Sequence, residues 1–188
     1  SVVDIDGSDK CMAMACAILP EWGKTDPYAM GTGTVDECVR QLILVGSNPD
    51  KIGLLDNFCM GNPEDPAELG RLVECVKAIA KAADAYNAPF ISGKDSFYNY
   101  FETEDGPINV PVTFLCSGFG VVESPDHATG SSLRRDDSLL YLIGNTEDEM
   151  GGSVFARTHG VNDCKVPQTD CAKNMELYKA YYLSLIHI

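Results

Sequence analysis

Two short segments combine glycine with acidic and hydroxyl side chains, residue types that can hold phosphate groups and divalent cations. They span residues 55–63 (LDNFCMGNP) and 91–99 (ISGKDSFYN). Glycine allows a backbone N–H group to approach a phosphate closely, and an aspartate carboxylate supplies a hard oxygen for Mg²⁺ or an acceptor for a nucleotide. Both segments are also ordinary turn sequences, so a purely structural interpretation stays open. The Gly-Lys-Asp-Ser run is not a P-loop, because the G-x-x-x-x-G-K-[ST] spacing is absent.

Short apolar stretches that predict buried strands precede both segments, at 51–55 and 88–92. Ligands of α/β folds usually bind at the carboxyl ends of strands, so both segments have the position expected of a binding site. Further strands are predicted at 11–19, 110–122 and 138–143, and the stretch at 11–19 is expected to be buried on both faces.

Capping residues predict three helices around these strands. Thr34 and Glu37 have the spacing of a capping box, which predicts a helix that ends at Gly46. A third helix is expected from Thr146 to about His159.

The second helix has the clearest signals. Asp65 is the expected N-cap, Pro66 the first helical residue and Glu68 the capping glutamate. Apolar residues at helical spacing then continue to about Tyr86. Strands and helices in this mixed order predict the α/β or α+β class.

Composition restricts the function classes. The 188 residues are 45% hydrophobic and 22% charged, which is typical of a globular protein and excludes collagen, coiled coil and disorder. A net charge of −14 argues against nucleic-acid binding and against an anionic membrane surface, and the sequence shows no transmembrane stretch or signal peptide. Phosphorylated ligands remain possible, because backbone amides and a metal can hold phosphate. The eight cysteines form no CxxC pair, so we expect core thiols in a reducing cytoplasm rather than a zinc site.

The residues from 26 to 153 resemble the second half of the phosphoribosylformylglycinamidine synthase family, in its synthetase component. The matching pieces follow one another in the family's order: VDECVRQLILVG (35–46), LDNFCMGNPE (55–64), PFISGKDSFYN (89–99), PVTFLCSGFGVV (111–122) and LYLIGNTEDEMGGS (140–153). Each piece alone is weakly specific, whereas five in order are specific.

The resemblance implies an aminoimidazole ribonucleotide synthetase-like fold. An N-terminal α/β subdomain would occupy 1–123, its sheet paired with a partner copy. A connector would follow at 124–137, and 138–188 would begin a truncated α+β subdomain. The apolar tail at 182–188 does not continue the family pattern, which suggests a foreign origin.

The resemblance also implies a reaction, the ATP-dependent amidation of formylglycinamide ribonucleotide. ATP would activate the amide oxygen, Mg²⁺ would bridge the phosphates, and ammonia would come from glutamine through a glutaminase domain or subunit. The family's catalytic histidine belongs to a first half that this sequence lacks. We therefore expect a fragment that is inactive alone. The alternatives are a catalytically silent half that forms a pseudo-dimer interface, and another member of the superfamily such as aminoimidazole ribonucleotide synthetase.

Four residues match family positions in the two segments. Asp56 and Gly93 match residues that contact ATP, and Ser96 matches one that contacts the substrate. Lys94 replaces an asparagine that binds Mg²⁺ in other members, and a protonated lysine has no lone pair for a metal. We expect the Lys94 ammonium to neutralise phosphate charge instead, the alternative being a solvated turn residue.

Glu37 and Gln41 lie one helical turn apart and so share a face. They match an E-x-x-x-N pair that resembles a metal-binding pair in long-chain relatives. The competing interpretation is structural, because Glu37 is already explained as part of a capping box.

Overall fold

The computed structural model describes residues 1–133, 135–161 and 164–187. Four residues lie outside the described ranges. Residue 134 belongs to the predicted connector, residues 162–163 to the predicted second subdomain, and residue 188 to its apolar tail. The strands are β1 (Val2–Asp4), β2 (Cys11–Ile18), β3 (Ile52–Cys59), β4 (Phe90–Ser96), β5 (Tyr100–Thr103), β6 (Gly106–Asn109) and β7 (Thr113–Val122). The helices are α1 (Pro20–Gly23), α2 (Pro27–Leu44), α3 (Pro66–Tyr86), α4 (Val154–Thr158) and α5 (Cys171–His187).

Five strands form one mixed sheet in the order β1-β2-β7-β3-β4. Only the β3–β4 pair is parallel, and the other three pairs are antiparallel. Strands β5 and β6 form a separate hairpin. Sheet and helices together confirm the predicted mixed α and β class.

Helix α2 lies between the sheet and α3. It packs on β2 and β7, and α3 packs on α2 in turn. Glycine permits both close approaches. A Cβ atom at Gly118 of β7 would lie 2.8 Å from the Sγ of Cys38, and one at Gly31 would lie 2.8 Å from the Cβ of Ala78.

Strand β2 is buried on one face only, so the prediction of burial on both faces was wrong. Ala13 and Ala17 are fully covered, whereas Met12 and Ile18 are 36% and 47% exposed. The strand alternates because the helices cover a single face of the sheet.

Helix α2 begins earlier than its predicted capping box. Asp26 caps it by accepting a hydrogen bond from the N–H of Ala29 (2.9 Å), and Pro27 is the first helical residue. Thr34 is therefore buried inside the helix, and the predicted start at Thr34 was wrong. The predicted end was close, since the helix ends at Leu44 and Gly46 has a φ of 101°.

Helix α3 confirms the predicted start and end. Asp65 accepts from the N–H of Ala67 (2.8 Å), and the helix ends at Tyr86. The predicted role of Glu68 was wrong: its carboxylate pairs with Arg71 (2.5 Å) one turn along the helix instead of capping the start.

Between residues 138 and 159 the predictions were mostly wrong. No strand forms at 138–143, where Leu139 and Tyr141 are 77% and 79% exposed. The third helix is reduced to α4, which Ser153 caps through the N–H of Ala156 (3.0 Å). Residues 138–143 do not form a strand because they pair neither with the five-stranded sheet nor with the β5–β6 hairpin.

Helix α5, which the sequence did not predict, is fastened to α2 through Asp36. One oxygen of this buried carboxylate accepts hydrogen bonds from Tyr86 of α3 and from Tyr178 (2.8 Å) and Asn174 (2.9 Å) of α5. Burial, together with the Asp36 charge, raises the pKa of both tyrosines, so both remain hydrogen-bond donors. Arg40 meets the other Asp36 oxygen (3.4 Å).

The cysteines are free thiols, and five of the eight are buried (Cys11, Cys38, Cys75, Cys116 and Cys171). This confirms that most of them fill the core. No helix in the described part of the chain is long and apolar enough to cross a membrane.

Gly31 and Gly70 provide a matched test of the α2–α3 contact. Gly31→Val should lower the free energy of unfolding by about 2 kcal/mol, because its side chain would overlap with Ala78 and with the carbonyl of Cys75. Gly70→Ala, which meets no atom within 4 Å, should raise it by about 1 kcal/mol through helix propensity. Urea denaturation followed by circular dichroism measures both. Equal effects of the two substitutions would contradict the close contact.

Candidate functional site

The two predicted binding segments meet in the only parallel strand pair of the sheet. In its register Asp56 lies opposite Gly93, Asn57 opposite Lys94 and Cys59 opposite Ser96. Both strands run further than predicted, so Asp56 and the whole Gly-Lys-Asp-Ser run belong to strands rather than to turns that follow them. The strands are longer than predicted because the hydrogen-bonded pairing between β3 and β4 continues to Cys59 and Ser96.

The absence of a side chain at Gly93 makes room for the Asp56 carboxylate. A Cβ atom built at Gly93 would overlap with the Cγ and both oxygens of Asp56. The carboxylate thus lies directly over the Gly93 backbone. The sequence predicted that Asp56 and Gly93 both contact a nucleotide, and the structure brings these two residues together.

The ionisation of Asp56 is disfavoured where it lies. Burial raises the pKa of the Asp56 carboxyl, and the nearby charge of Asp95 adds to this effect, whereas a hydrogen bond from the residue's own backbone opposes it. An added hydrogen-bond donor or cation beside this carboxylate would stabilise its charged form.

Lys94 and Ser96 lie together on the opposite face of β4. The Lys94 ammonium donates to the Ser96 hydroxyl, and alternation along the strand places both side chains away from Gly93. The structure therefore brings the four segment residues into two groups, one on each face. Because β4 is an edge strand, a ligand that lies along its free edge can contact both groups.

The loops that leave β3 and β4 are bound to each other. The N–H of Met60 donates to the Ser96 carbonyl (2.9 Å), and the N–H of Tyr98 donates to the Gly61 carbonyl (2.9 Å). The Asn99 side chain donates to the carbonyls of Ser96 (2.7 Å) and Met60 (3.2 Å). Sequence reasoning did not identify Asn99, although an asparagine in the turn that follows a strand, here three residues after Ser96, is a common loop-fixing residue.

Glu37 and Gln41 are neighbours on α2, separate from the β3–β4 pair. The Gln41 amide donates to a Glu37 carboxylate oxygen (3.1 Å), as their spacing of one turn predicts. A metal at this point would use the Glu37 carboxylate and the Gln41 amide oxygen, which is left free by this hydrogen bond.

Across residues 1–133, 135–161 and 164–187, no three His, Cys, Asp or Glu side chains are grouped closely enough to hold a metal ion by themselves. Mg²⁺ in nucleotide sites commonly takes one or two carboxylates together with phosphate oxygens and water. The partly exposed Asp56 carboxylate fits that smaller requirement, as a single protein ligand to a nucleotide-bound ion.

A family comparison covers the whole sheet. The family described as AIR synthase related protein, N-terminal domain, matches residues 1–122, which include all five strands of the sheet. The chain belongs to this family. The match contains Asp56, Gly93, Lys94 and Ser96.

Individual relatives are consistent with the family assignment. The chain is similar to the phosphoribosylformylglycinamidine synthase subunit PurL of Methanocaldococcus jannaschii, with 34% identity over 160 residues, 83% of this chain and 21% of the relative. It also resembles the structure of Thermotoga maritima PurL complexed with ATP, with 25% identity, a TM-score of 0.55 and coverage of 68% of this chain and 20% of that one. A T. maritima PurL structure complexed with FGAR shares the fold, with 24% identity, a TM-score of 0.58 and coverage of 69% and 20%. The chain spans about a fifth of the length of these relatives.

Replacing Asp56 by asparagine should change stability in a pH-dependent way. A raised native pKa means that the folded chain binds an extra proton between the unfolded and folded pKa values, so stability falls as pH rises through that window. Asp56→Asn removes this penalty and should raise the free energy of unfolding by about 0.5 kcal/mol at pH 7, a small amount because the group is partly solvated. The gain should disappear below the unfolded-state pKa. Urea titrations at pH 7 and pH 3.5 measure it, and a gain at pH 3.5 as large as that at pH 7 would be inconsistent with the raised pKa.

Proposed function

We propose that the chain is the nucleotide-binding part of an ATP-dependent ligase that amidates formylglycinamide ribonucleotide. The observation that carries the proposal is the Asp56 carboxylate lying over the bare backbone of Gly93. Similarity to PurL proteins, one of them solved with ATP, favours ATP as the ligand there. The acidic net charge is compatible with it, because backbone amides and one lysine can contact phosphate locally.

Within this proposal the four strand residues have separate roles. Asp56 accepts a hydrogen bond from the nucleotide or contributes one oxygen to its Mg²⁺, and Gly93 allows close approach of the backbone. Lys94 neutralises phosphate charge as a point charge. Ser96, on the same face as Lys94, contacts the ribonucleotide substrate, a role favoured by the relative solved with FGAR.

The rest of the reaction requires groups beyond this chain. We propose that glutamine supplies the ammonia through a glutaminase domain or subunit, and that the catalytic histidine comes from the first half of the synthetase. Mg²⁺ would offset phosphate charge, and Glu37 with Gln41 would form a lesser metal position on α2. The free cysteines favour a reducing, cytoplasmic setting.

We further propose that residues 1–123 form the synthetase N-terminal-like subdomain, with a connector at 124–137. The matched family segment, residues 1–122, supports the first boundary. Residues 138–188 would begin the next subdomain, although α5 packs against α2 and α3 in this chain.

The second candidate function is that of a catalytically silent half of the synthetase that forms a pseudo-dimer interface. The exposed apolar side chains of Met12 and Ile18 on β2 favour it, because a second sheet could cover that face. Lys94 at a position where other members carry asparagine also favours a site that binds nucleotide without turnover.

Alanine substitutions at Gly93 and Gly53 test whether the contact between Asp56 and Gly93 serves nucleotide binding or only strand packing. Gly93→Ala should displace the Asp56 carboxylate and weaken the binding of ATP with Mg²⁺ about tenfold, since a hydrogen bond to a charged group contributes about 1.5–3 kcal/mol. Gly53→Ala in β3 meets only the flexible, exposed Ile91 at 3.1 Å and should change affinity less than twofold. Isothermal titration calorimetry measures both, after circular dichroism has shown that each variant is folded. The proposal would be refuted if neither the unmodified chain nor the intact ligase bound ATP.

Lys94→Asn tests the charge-neutralising role. Asparagine provides an oxygen ligand in place of an ammonium, so nucleotide affinity without Mg²⁺ should fall severalfold and affinity should depend more steeply on the Mg²⁺ concentration. Calorimetric titrations of the intact ligase at several Mg²⁺ concentrations measure this. Unchanged affinity and unchanged Mg²⁺ dependence would show that Lys94 is only a solvated strand residue.

A further inference from the structure

Tyr98 has a backbone conformation that is unusual for its residue type. Its φ is 60°, and Asn87, with φ 50°, is the other non-glycine residue with positive φ within the described ranges. Asparagine tolerates this left-handed region, and Asn87 has a clear structural reason for it as the C-cap of α3. A bulky tyrosine does not favour it, and strained residues of this kind concentrate at ligand sites.

Contacts with the loop after β3 hold Tyr98 in this conformation. Its N–H donates to the Gly61 carbonyl (2.9 Å), and its hydroxyl donates to a Glu64 carboxylate oxygen (3.1 Å). Asn99 continues the turn back to Met60 (3.0 Å). The turn needs a left-handed residue at position 98, which glycine or asparagine would supply with less strain. The turn alone therefore does not account for a tyrosine.

The Tyr98 ring lies beside the candidate site and remains open. It follows Ser96 by two residues, so their Cα atoms are within about 7 Å of each other. The side chain is half exposed, and its ring is 6.4 Å from that of Tyr100, tilted by 41°. Because the hydroxyl is already bound to Glu64, the ring face is the part of this side chain left for a ligand.

We infer that Tyr98 is a ligand-contacting residue whose ring stacks against the base of the nucleotide bound along β4. The inference rests on the proposed nucleotide-binding function. Nucleobases have flat π faces, and every base can stack on a tyrosine ring. The fixed hydroxyl and the fixed backbone hold the ring in one orientation before the ligand arrives, which reduces the entropy lost on binding.

Three variants test the inference on the full chain, with ATP and Mg²⁺ as the probe. Tyr98→Gly removes both the ring and the strain, so its thermal unfolding midpoint should equal or exceed that of the unmodified chain while its affinity falls about tenfold. Tyr98→Phe keeps the ring and loses only the hydroxyl, so its affinity should stay within about threefold. Asn87→Gly relaxes the other left-handed residue, which caps α3 before β4 begins whereas Tyr98 follows the end of β4, and should leave affinity unchanged.

Calorimetry and thermal denaturation on the same samples give both readouts. Unchanged affinity in Tyr98→Gly would overturn the inference and leave the proposed function intact. A lower unfolding midpoint in Tyr98→Gly would show that the ring serves stability, which also overturns it. Absence of ATP binding by the unmodified chain and by the intact ligase would instead remove the proposed function on which the inference rests.

Discussion

The contact between Asp56 and Gly93 is the constraint on which the candidate site depends. In a parallel pair, neighbouring strands lie about 4.8 Å apart, so a carboxylate can lie over the adjacent backbone only where that residue has no side chain. The same contact leaves the carboxylate partly buried, with a raised pKa and the charge of Asp95 nearby. The close approach that brings β3 and β4 together at this candidate site also disfavours the charged form of Asp56.

The buried carboxylate of Asp36 has the opposite character. It accepts hydrogen bonds from Tyr86, Tyr178 and Asn174 and meets Arg40, so its charge has several partners. Such a satisfied group connects three helices and specifies how α5 docks. The chain thus contains a buried acid, Asp36, with several hydrogen-bond partners, and a partly buried acid, Asp56, whose pKa is raised by burial. This difference, more than acidity, distinguishes a structural carboxylate from a candidate binding carboxylate.

The sequence predicted helix α3 and the positions of β3, β4 and β7 because their signals are local: an Asp-Pro start and short apolar stretches. It placed the start of α2 at Thr34, since the spacing of a capping box also occurs inside helices and only the backbone angles decide between them. Asp26-Pro27 carried the correct signal. The opposite faces of Gly93 and Lys94 could not be inferred without knowing that β4 continues through them, because a turn imposes no alternation. Residues 138–143 have strand composition but no partner strand, and pairing is a tertiary property.

Three unfavourable features of the structure lie along the β3–β4 strand pair and the loop that follows it. Asp56 is partly desolvated, Tyr98 has a left-handed backbone, and β4 presents an open edge with the exposed side chain of Ile91. The desolvated carboxylate and the left-handed tyrosine each lower the stability of the folded chain. Proteins retain such costs mainly where binding requires them. A ligand that supplies a donor to Asp56, an aromatic face to the Tyr98 ring and contacts along β4 would offset these costs through the free energy of binding, and a nucleotide has each of these chemical groups.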